Sequence, residues 1–276
     1  MNLLELAREK KVLLVSHRGV AGGNIPCNSE ASFKAAIYAG ADIVELDVEK
    51  TLDGELFVLH PGMEKVHLRT LDSIKRNDSS FVEQLYLSNW DLARTQYPII
   101  RLEKALKLLK DKCIVNIDKF WNNPKEISEL IRKLGMENQV IIKTANKPEY
   151  LDDVEKYAPD IPFMTIAKKE DITHKELMRR NINYVGTEVL FENDTDPVAS
   201  KEYIDMMHSE GKIVWANAIV YSYRAVLSAG HNDDVSVTGD PENGWGWLAD
   251  RGFDLIQTDF LFQCKHFLES TDRKIR

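Results

Sequence analysis

The sequence predicts a closed α/β barrel of eight parallel strands, the (β/α)8 class, with a small inserted segment after the second strand. Eight strand-like apolar runs alternate with helical patterns along the chain. A length of 276 residues is normal for such a barrel and allows a large core. No GxGxxG or GxxxxGK[ST] loop follows any of the runs, so an open nucleotide-binding sheet lacks its key element. No long linker or low-complexity segment divides the chain, and residues 1–276 read as one domain.

The chain starts with MNLLELAREKK, a short amphipathic helix by its mixture of leucines and charges, and unlike a signal peptide with an apolar centre. KVLLVSH (11–17) is almost continuously apolar, as a strand covered on both faces must be. It runs into His17-Arg18-Gly19 and a glycine-rich loop. Asn28 or Ser29 then caps a helix with Phe33, Ala36 and Ile37 at helical spacing, ending near Gly40.

Val44 to His60 follows as a two-stranded ribbon. Val44, Leu46 and Val48 alternate with Glu45, Asp47 and Glu49, so the acids share one face. Asp53-Gly54 signals the turn, and a symmetric two-residue turn there sets Asp47 opposite His60 with Cβ atoms about 5 Å apart. Glu49, nearer the turn, reads as solvated.

Residues 63–98 are polar and less regular, an insertion on the rim. The alternation then resumes. Helices at 101–110, 124–134, 147–157, 174–181 and 198–210 separate strands at 113–118, 139–143, 162–167, 183–189 and 212–217. A last strand at 254–258 leads into a closing helix. GWGWL (244–248) reads as a lid or rim loop over the pocket.

The net charge of -8 and pI near 5.5 argue against a nucleic-acid surface, which needs clustered basic residues. No apolar run reaches the roughly 18 residues that span a bilayer, and no basic amphipathic helix suggests stable membrane association. Cys27, Cys113 and Cys264 are odd in number and far apart, which gives neither a disulfide framework nor a zinc motif and makes a reducing, cytoplasmic setting the default. The oligomeric state is not encoded in any visible pattern.

Sites of such barrels lie at the carboxyl ends of the strands. The residues there are His17, Glu45 and Asp47 with His60, Asp118, Lys143, Glu188, Trp215 with Asn217, and Asp259. His-Arg-Gly ending the first strand, Glu-x-Asp on the second and a histidine after the Asp-Gly turn closely resemble the glycerophosphodiester phosphodiesterase family, whose fold is the TIM barrel. Asn116-Ile117-Asp118, Trp215-Ala216-Asn217 and Gln257-Thr258-Asp259 extend the resemblance over almost the whole chain.

The resemblance implies hydrolysis of a glycerophosphodiester or related small phosphodiester to an alcohol and a phosphomonoester. His17 and His60 would be the general acid and base, and Glu45, Asp47 and Asp118 would hold a divalent cation, Mg²⁺ or Ca²⁺. Arg18 would bind phosphate; by their places at strand ends, Glu188 would bind hydroxyls, and Trp215, with Asn217 beside it, would contact the substrate, the Trp215 ring as an apolar wall for the alcohol. A non-catalytic binding protein on the same barrel and a lipid-directed phosphodiesterase are the alternatives.

Three positions depart from the family pattern. Cys27 stands where a Glu precedes Asn28, Pro61 replaces the Asp that follows the second histidine, and Asp118 is followed by Lys119-Phe120 instead of a Glu with Lys two residues on. The phosphate thereby loses its usual cation. Lys143, at the end of the neighbouring strand, offers a replacement.

Overall fold

The structure, a computed structural model, describes residues 2–274. Its strands are β1 (Leu13–Ser16), β2 (Ile43–Lys50), β3 (Leu56–Val58), β4 (Tyr86–Ser88), β5 (Arg94–Pro98), β6 (Ile114–Asp118), β7 (Val140–Ala145), β8 (Phe163–Lys168), β9 (Tyr184–Leu190), β10 (Ile213–Asn217) and β11 (Leu255–Thr258). β1, β2 and β6 to β11 pair in parallel, in the order β1-β11-β10-β9-β8-β7-β6-β2, and β2 returns to β1 to close the barrel.

Strand alternation sorts the residues. Val12, Leu14, Val44, Leu46, Val115, Ile117, Val214, Ala216 and Ile256 face outward and join the helices in the main core. Leu13, Val15, Ile43, Ile114, Ile141, Met164, Ile213, Trp215 and Leu255 face inward and fill the lower barrel, with Leu3 and Ala7 of the first helix (Leu3–Glu9) packed among them. Most inward positions further along the strands are polar, Ile166 of β8 being an exception. They include Glu45, Asp47, Asp118, Lys143 and Asn217, so a dry floor carries a charged mouth.

Helix ends follow local chemistry. Ser29 caps Glu30–Ala39, accepting from the Ser32 backbone N–H while the Ser32 hydroxyl accepts from the Ser29 backbone, and left-handed Gly40 stops the helix. The helix expected at 174–181 is only His174–Leu177. Beyond it the Asn181 backbone N–H is drawn to Glu155 at 3.0 Å and that of Asn183 to the Pro159 carbonyl at 2.8 Å, which leads the chain into β9 instead. The stretch expected to be helical from 198 is a 3₁₀ turn, Pro197–Ala199, before Lys201–Ser209.

The ribbon forms, with a register one residue from that expected. Val48 pairs with Val58 and Glu49 with Phe57, and the Leu59 backbone N–H donates to the Asp47 carbonyl at 3.2 Å. Thr51 and Glu55 close the turn, with N···O 2.9 Å, so three residues and not two make the loop. Asp53 stabilises it by accepting from the Thr51 hydroxyl at 2.6 Å and from Ser79. Leu59 is thus opposite Asp47 and turns inward to the small core of the insertion, with Phe57, Leu68, Ile74, Val82, Leu87 and Ile99. Glu49 is buried, not solvated, and its carboxylate meets Lys75 of the insertion at 3.1 Å.

One glycine is required by close approach. A Cβ on Gly186 would sit 2.0 Å from the Ile213 carbonyl oxygen of β10, next to the register shift between β8 and β9. Gly186→Ala should therefore cost about 3 kcal/mol or more, since neither strand backbone can yield. Thermal denaturation should show a melting midpoint lowered by several degrees, and an unchanged midpoint would contradict this contact.

Candidate active site

The turn after β1 organises the site. Arg18 (φ 56°) and Gly19 (φ 76°) are both left-handed, and a Cβ at Gly19 would meet the Ser32 backbone at 2.7 Å. This double turn aims the Arg18 backbone N–H at Glu45 Oε2 (2.9 Å) and its Nε at Asp47 Oδ2 (2.8 Å).

Glu45, Asp47 and Asp118 present ligand oxygens all within 4.8 Å of one another. Asp47 and Asp118 are register neighbours on the parallel strands β2 and β6, which is why inward-facing acids meet there. Asp47 is fully buried, and its Oδ2 also accepts from the Asn28 side-chain amide at 3.0 Å. Its Oδ1 accepts from Lys119 Nζ at 2.9 Å, and the same ammonium lies 2.7 Å from Asp118 Oδ2.

Burial drives the Asp47 carboxyl up, but Arg18, Lys119 and His60 together hold it well below the usual carboxylate range. Asp118 is likewise lowered, by Lys143 and Lys119 against its own burial. Glu45 goes the other way. Buried and beside Asp47, it is pushed up to about 7, for no side-chain cation among the described residues forms an ion pair with it.

This donor set fits a divalent cation. The oxygens are hard ligands, and their spread is what two metal–oxygen distances of about 2.0–2.6 Å span. Among the described residues the three carboxylates face Arg18 and Lys119 in direct contact, with Lys143 more remote at 3.9 Å from Asp118, so a cation would find unbalanced negative charge.

Lys143 is buried and not a rim lysine. It pairs with Glu188 and lies over the Trp215 ring at 4.2 Å. Asn217 donates to Glu188 Oε1 at 2.7 Å. Trp215 itself has no exposed surface and lies beneath Lys143, in the floor of the barrel, so it does not form the expected apolar wall. Its Nε1 approaches Asn217 at 3.3 Å, which accounts for the pairing of the two residue types on β10.

The two histidines flank the acids differently. His17 Nδ1 meets Asp259 Oδ1 at 2.8 Å, which fixes the tautomer, and its buried Nε2 has no hydrogen-bond partner among the described residues. Asp259 is held in turn by buried Asp233, which accepts its backbone N–H at 2.8 Å, the Thr258 hydroxyl and the Trp245 indole N–H. GWGWL is therefore no lid: Trp245 is buried against Phe267, and neither tryptophan borders the barrel mouth. His60 Nδ1 donates to the Pro61 carbonyl at 2.9 Å, and burial lowers its pKa although Asp47 opposes this.

Tyr221, after β10, stands between two cavities. One, of about 160 Å³, is bordered by Glu45, Asp118, Lys143, Glu188 and Asn217; the other, of about 260 Å³, adjoins His17 and Arg18. The second is mainly apolar, walled by Pro26, Met63, Val66, Trp90, Leu92 and Val220, most of them from the insertion. His67 also borders it, its pKa lowered to about 4 by burial and Arg18. His174 is buried elsewhere in the barrel, bonded to Tyr184 and Glu210.

Sequence reasoning missed Lys119, Asn28 and Tyr221. Lys119 had a visible signal in its place directly after the third barrel strand. Asn28 had none apart from its alternative use as a cap, and Tyr221 lies in a loop whose course no periodicity fixes.

Barrel, carboxylate cluster and two flanking imidazoles define the class: a (β/α)8 protein with acids and histidines gathered at the carboxyl ends of its strands. A family described as a domain of unknown function (DUF4996) matches residues 161–268. A glycerophosphodiester phosphodiesterase of Caldanaerobacter subterraneus is 33% identical over 168 residues, which cover 55% of this chain and 65% of that protein. The chain thus spans just under two thirds of that relative's length.

Among solved structures, a glycerophosphoryl diester phosphodiesterase of Parabacteroides distasonis superposes with a TM-score of 0.80 at 19% identity, covering 98% of this chain and 93% of that one. An Oleispira antarctica phosphodiesterase in complex with its product sn-glycerol-3-phosphate gives 0.69 at 16% identity, covering 93% and 96%. In sequence the chain is thus similar to glycerophosphodiester phosphodiesterases, and it shares their barrel fold.

The raised Glu45 pKa has a measurable sign. Ionisation of Glu45 is opposed in the folded, metal-free chain, so its contribution to stability falls as pH rises from 4.5 toward about 7 and is constant above. Glu45→Gln keeps an oxygen for the Arg18 N–H and removes the charge. In the presence of chelator its melting midpoint should exceed that of wild type by a few degrees at pH 8, and the difference should shrink toward pH 5. A variant no more stable than wild type at pH 8 would contradict the buried-charge assignment.

Proposed function

We propose that this chain is a divalent-metal-dependent phosphodiesterase acting on glycerophosphodiesters or a related small phosphodiester, releasing an alcohol and a phosphomonoester such as glycerol 3-phosphate. The observation that carries this reading is His17, oriented by Asp259 with Nε2 free, on the same rim as Arg18 and the three acids. The relative named for this activity and the neighbour that binds sn-glycerol-3-phosphate support it.

In this reading the phosphate lies at the mouth beside Arg18, whose guanidinium is held planar against Asp47. His60, kept neutral by burial, takes the proton of the attacking water as its oxygen bonds to phosphorus or, where a neighbouring glycerol hydroxyl attacks first, the proton of that hydroxyl, water then opening the cyclic phosphate to the monoester. His17, backed by Asp259, gives a proton to the departing alkoxide as the second P–O bond breaks. When held by Glu45, Asp47 and Asp118, Mg²⁺ or Ca²⁺ supplies Lewis-acid polarisation of a phosphoryl oxygen. Lys143, Glu188 and Asn217 border the smaller cavity and would bind hydroxyls of the glycerol. The free cysteines Cys27, Cys113 and Cys264 accord with a reducing cytoplasm.

Purified enzyme should hydrolyse at least one of glycerophosphocholine, glycerophosphoethanolamine or glycerophosphoinositol, lose activity with chelator and regain it with Mg²⁺ or Ca²⁺. His17→Ala and His60→Ala should each lower kcat/KM by about 10²–10⁴-fold. The acid limb of kcat/KM should lie below pH 6.5, because a base with a depressed pKa stays unprotonated to lower pH. Turnover that survives both chelation and His17→Ala would reject the mechanism.

The apolar cleft favours one refinement: the leaving alcohol carries a hydrocarbon portion that lies against Met63, Val66, Trp90 and Leu92. Trp90 is 70% exposed and Leu92 52%, more apolar surface than a rim facing only water requires. Among the described residues no helix is long and apolar enough to cross a membrane. Trp90→Ala should raise KM about tenfold for a lysophospholipid-like diester while leaving that for glycerophosphocholine nearly unchanged. Equal effects on both would argue against the refinement.

A further inference from the structure

We propose that the Lys119 ammonium is a resident counter-cation of the acid cluster, which a divalent metal must displace and which, once displaced, turns to the phosphate. The inference rests on the reading that Glu45, Asp47 and Asp118 take such a metal.

Its basis is geometric. Consecutive residues of a strand point to opposite sides, so Asp118 and Lys119 would ordinarily diverge. Lys119 is left-handed, at φ 56° and ψ 35°, and this breaks the alternation and directs both side chains to the barrel axis. A non-glycine residue held in that region costs of order 1–3 kcal/mol, and such strain persists where the surroundings impose it. Here the Lys119 carbonyl is tied into the following turn by the Asn122 backbone N–H at 3.0 Å, and Phe120 is locked in the outer core. With the backbone fixed, the ammonium can leave the acids only by rotation of its four-carbon stem.

The ammonium touches two of the three candidate ligands, Asp47 Oδ1 at 2.9 Å and Asp118 Oδ2 at 2.7 Å. A divalent ion using those oxygens competes with it for lone pairs and is repelled by its charge. Other cations cannot take over this place. Arg18 is engaged with Asp47 Oδ2, and Lys143 is paired with Glu188. When the acids gain a metal, Lys119 loses its partners and the phosphate becomes the nearest anion available to it. This answers the family departure at Phe120: the cation comes from the preceding residue, through a left-handed backbone.

The test is metal binding by the full chain, with Mn²⁺ followed by electron paramagnetic resonance and Mg²⁺ and Ca²⁺ by calorimetry. Wild type, Lys119→Met and Lys119→Gln are compared, each checked for folding by circular dichroism. Both neutral variants should bind metal at least tenfold more tightly than wild type, and at saturating metal both should bind glycerol 3-phosphate at least tenfold more weakly. Metal affinity unchanged or weakened in the variants would overturn the displacement, and unchanged glycerol 3-phosphate affinity would overturn the transfer to phosphate. Failure of every form to bind metal would instead sink the metal reading itself, and the inference with it.

Discussion

Burial of the Asp47 carboxylate is the constraint on which the mouth of the barrel depends. A charge with no exposed surface must be met by other groups, because leaving it uncompensated costs several kcal/mol. Asp47 draws in Arg18 and Asn28 from the loop after β1 and Lys119 from the loop after β6. Each needs unusual backbone to arrive: Arg18, Asn28 and Lys119 all have φ between 54° and 56°. Three left-handed residues converging on one carboxylate show that strain is concentrated where the chemistry is, and the packed barrel beneath supplies the stability to hold it.

The same strands supply both halves of this arrangement. Inward positions nearest the amino ends are Leu, Ile, Val and Met, and each fully buried aliphatic side chain contributes about 1.5–3 kcal/mol. Two or four residues further along, the inward positions are acids, amides and Lys143. Rigid strands therefore fix the separations within the acid cluster, and the loops only add cations and imidazoles around it. The Trp245–Asp233–Asp259–His17 chain extends this scaffold outward: a buried indole N–H holds one carboxylate, which holds the backbone of the next, which orients the imidazole. Mutual support of this sort positions His17 without any residue of the insertion.

What was legible in the sequence was what period and spacing control. The eight barrel strands and the helix Pro124–Leu134 follow from alternation and apolar runs, and so does the clustering of Glu45, Asp47 and Asp118, since inward parity and parallel register bring them together. What stayed hidden depends on backbone geometry or tertiary contact. The ribbon register turned on whether the loop held two residues or three, a choice set by the Thr51–Glu55 closure and by Asp53 reaching Ser79 in a distant segment. Lys119 was passed over because strand alternation would turn it away from Asp118, and one left-handed residue reverses that direction. Trp215 has the right type for a ligand wall, but its depth along β10 places it in the floor.

The insertion and the loop after β10 add what the barrel alone lacks. Removing them in thought leaves a shallow charged mouth open to water, where ion pairs are weakened by solvent. With them, Tyr221 lies 5.7 Å from the His17 ring and 5.9 Å from the Arg18 guanidinium, and it borders both the cavity lined by acids and Lys143 and the apolar one. A phosphodiester has matching parts: a charged centre with a different alcohol on either side. In the proposed reading the phosphate would lie between the two cavities, next to Arg18 and His17, where each alcohol could enter one of them. The apolar cleft would then sit on the leaving-group side, because it is the one that His17, the proposed proton donor, borders. The cavity bordered by Lys143, Glu188 and Asn217 would retain the glycerol end, and changes in the insertion would alter which alcohol departs without disturbing the acids that β2 and β6 hold in register.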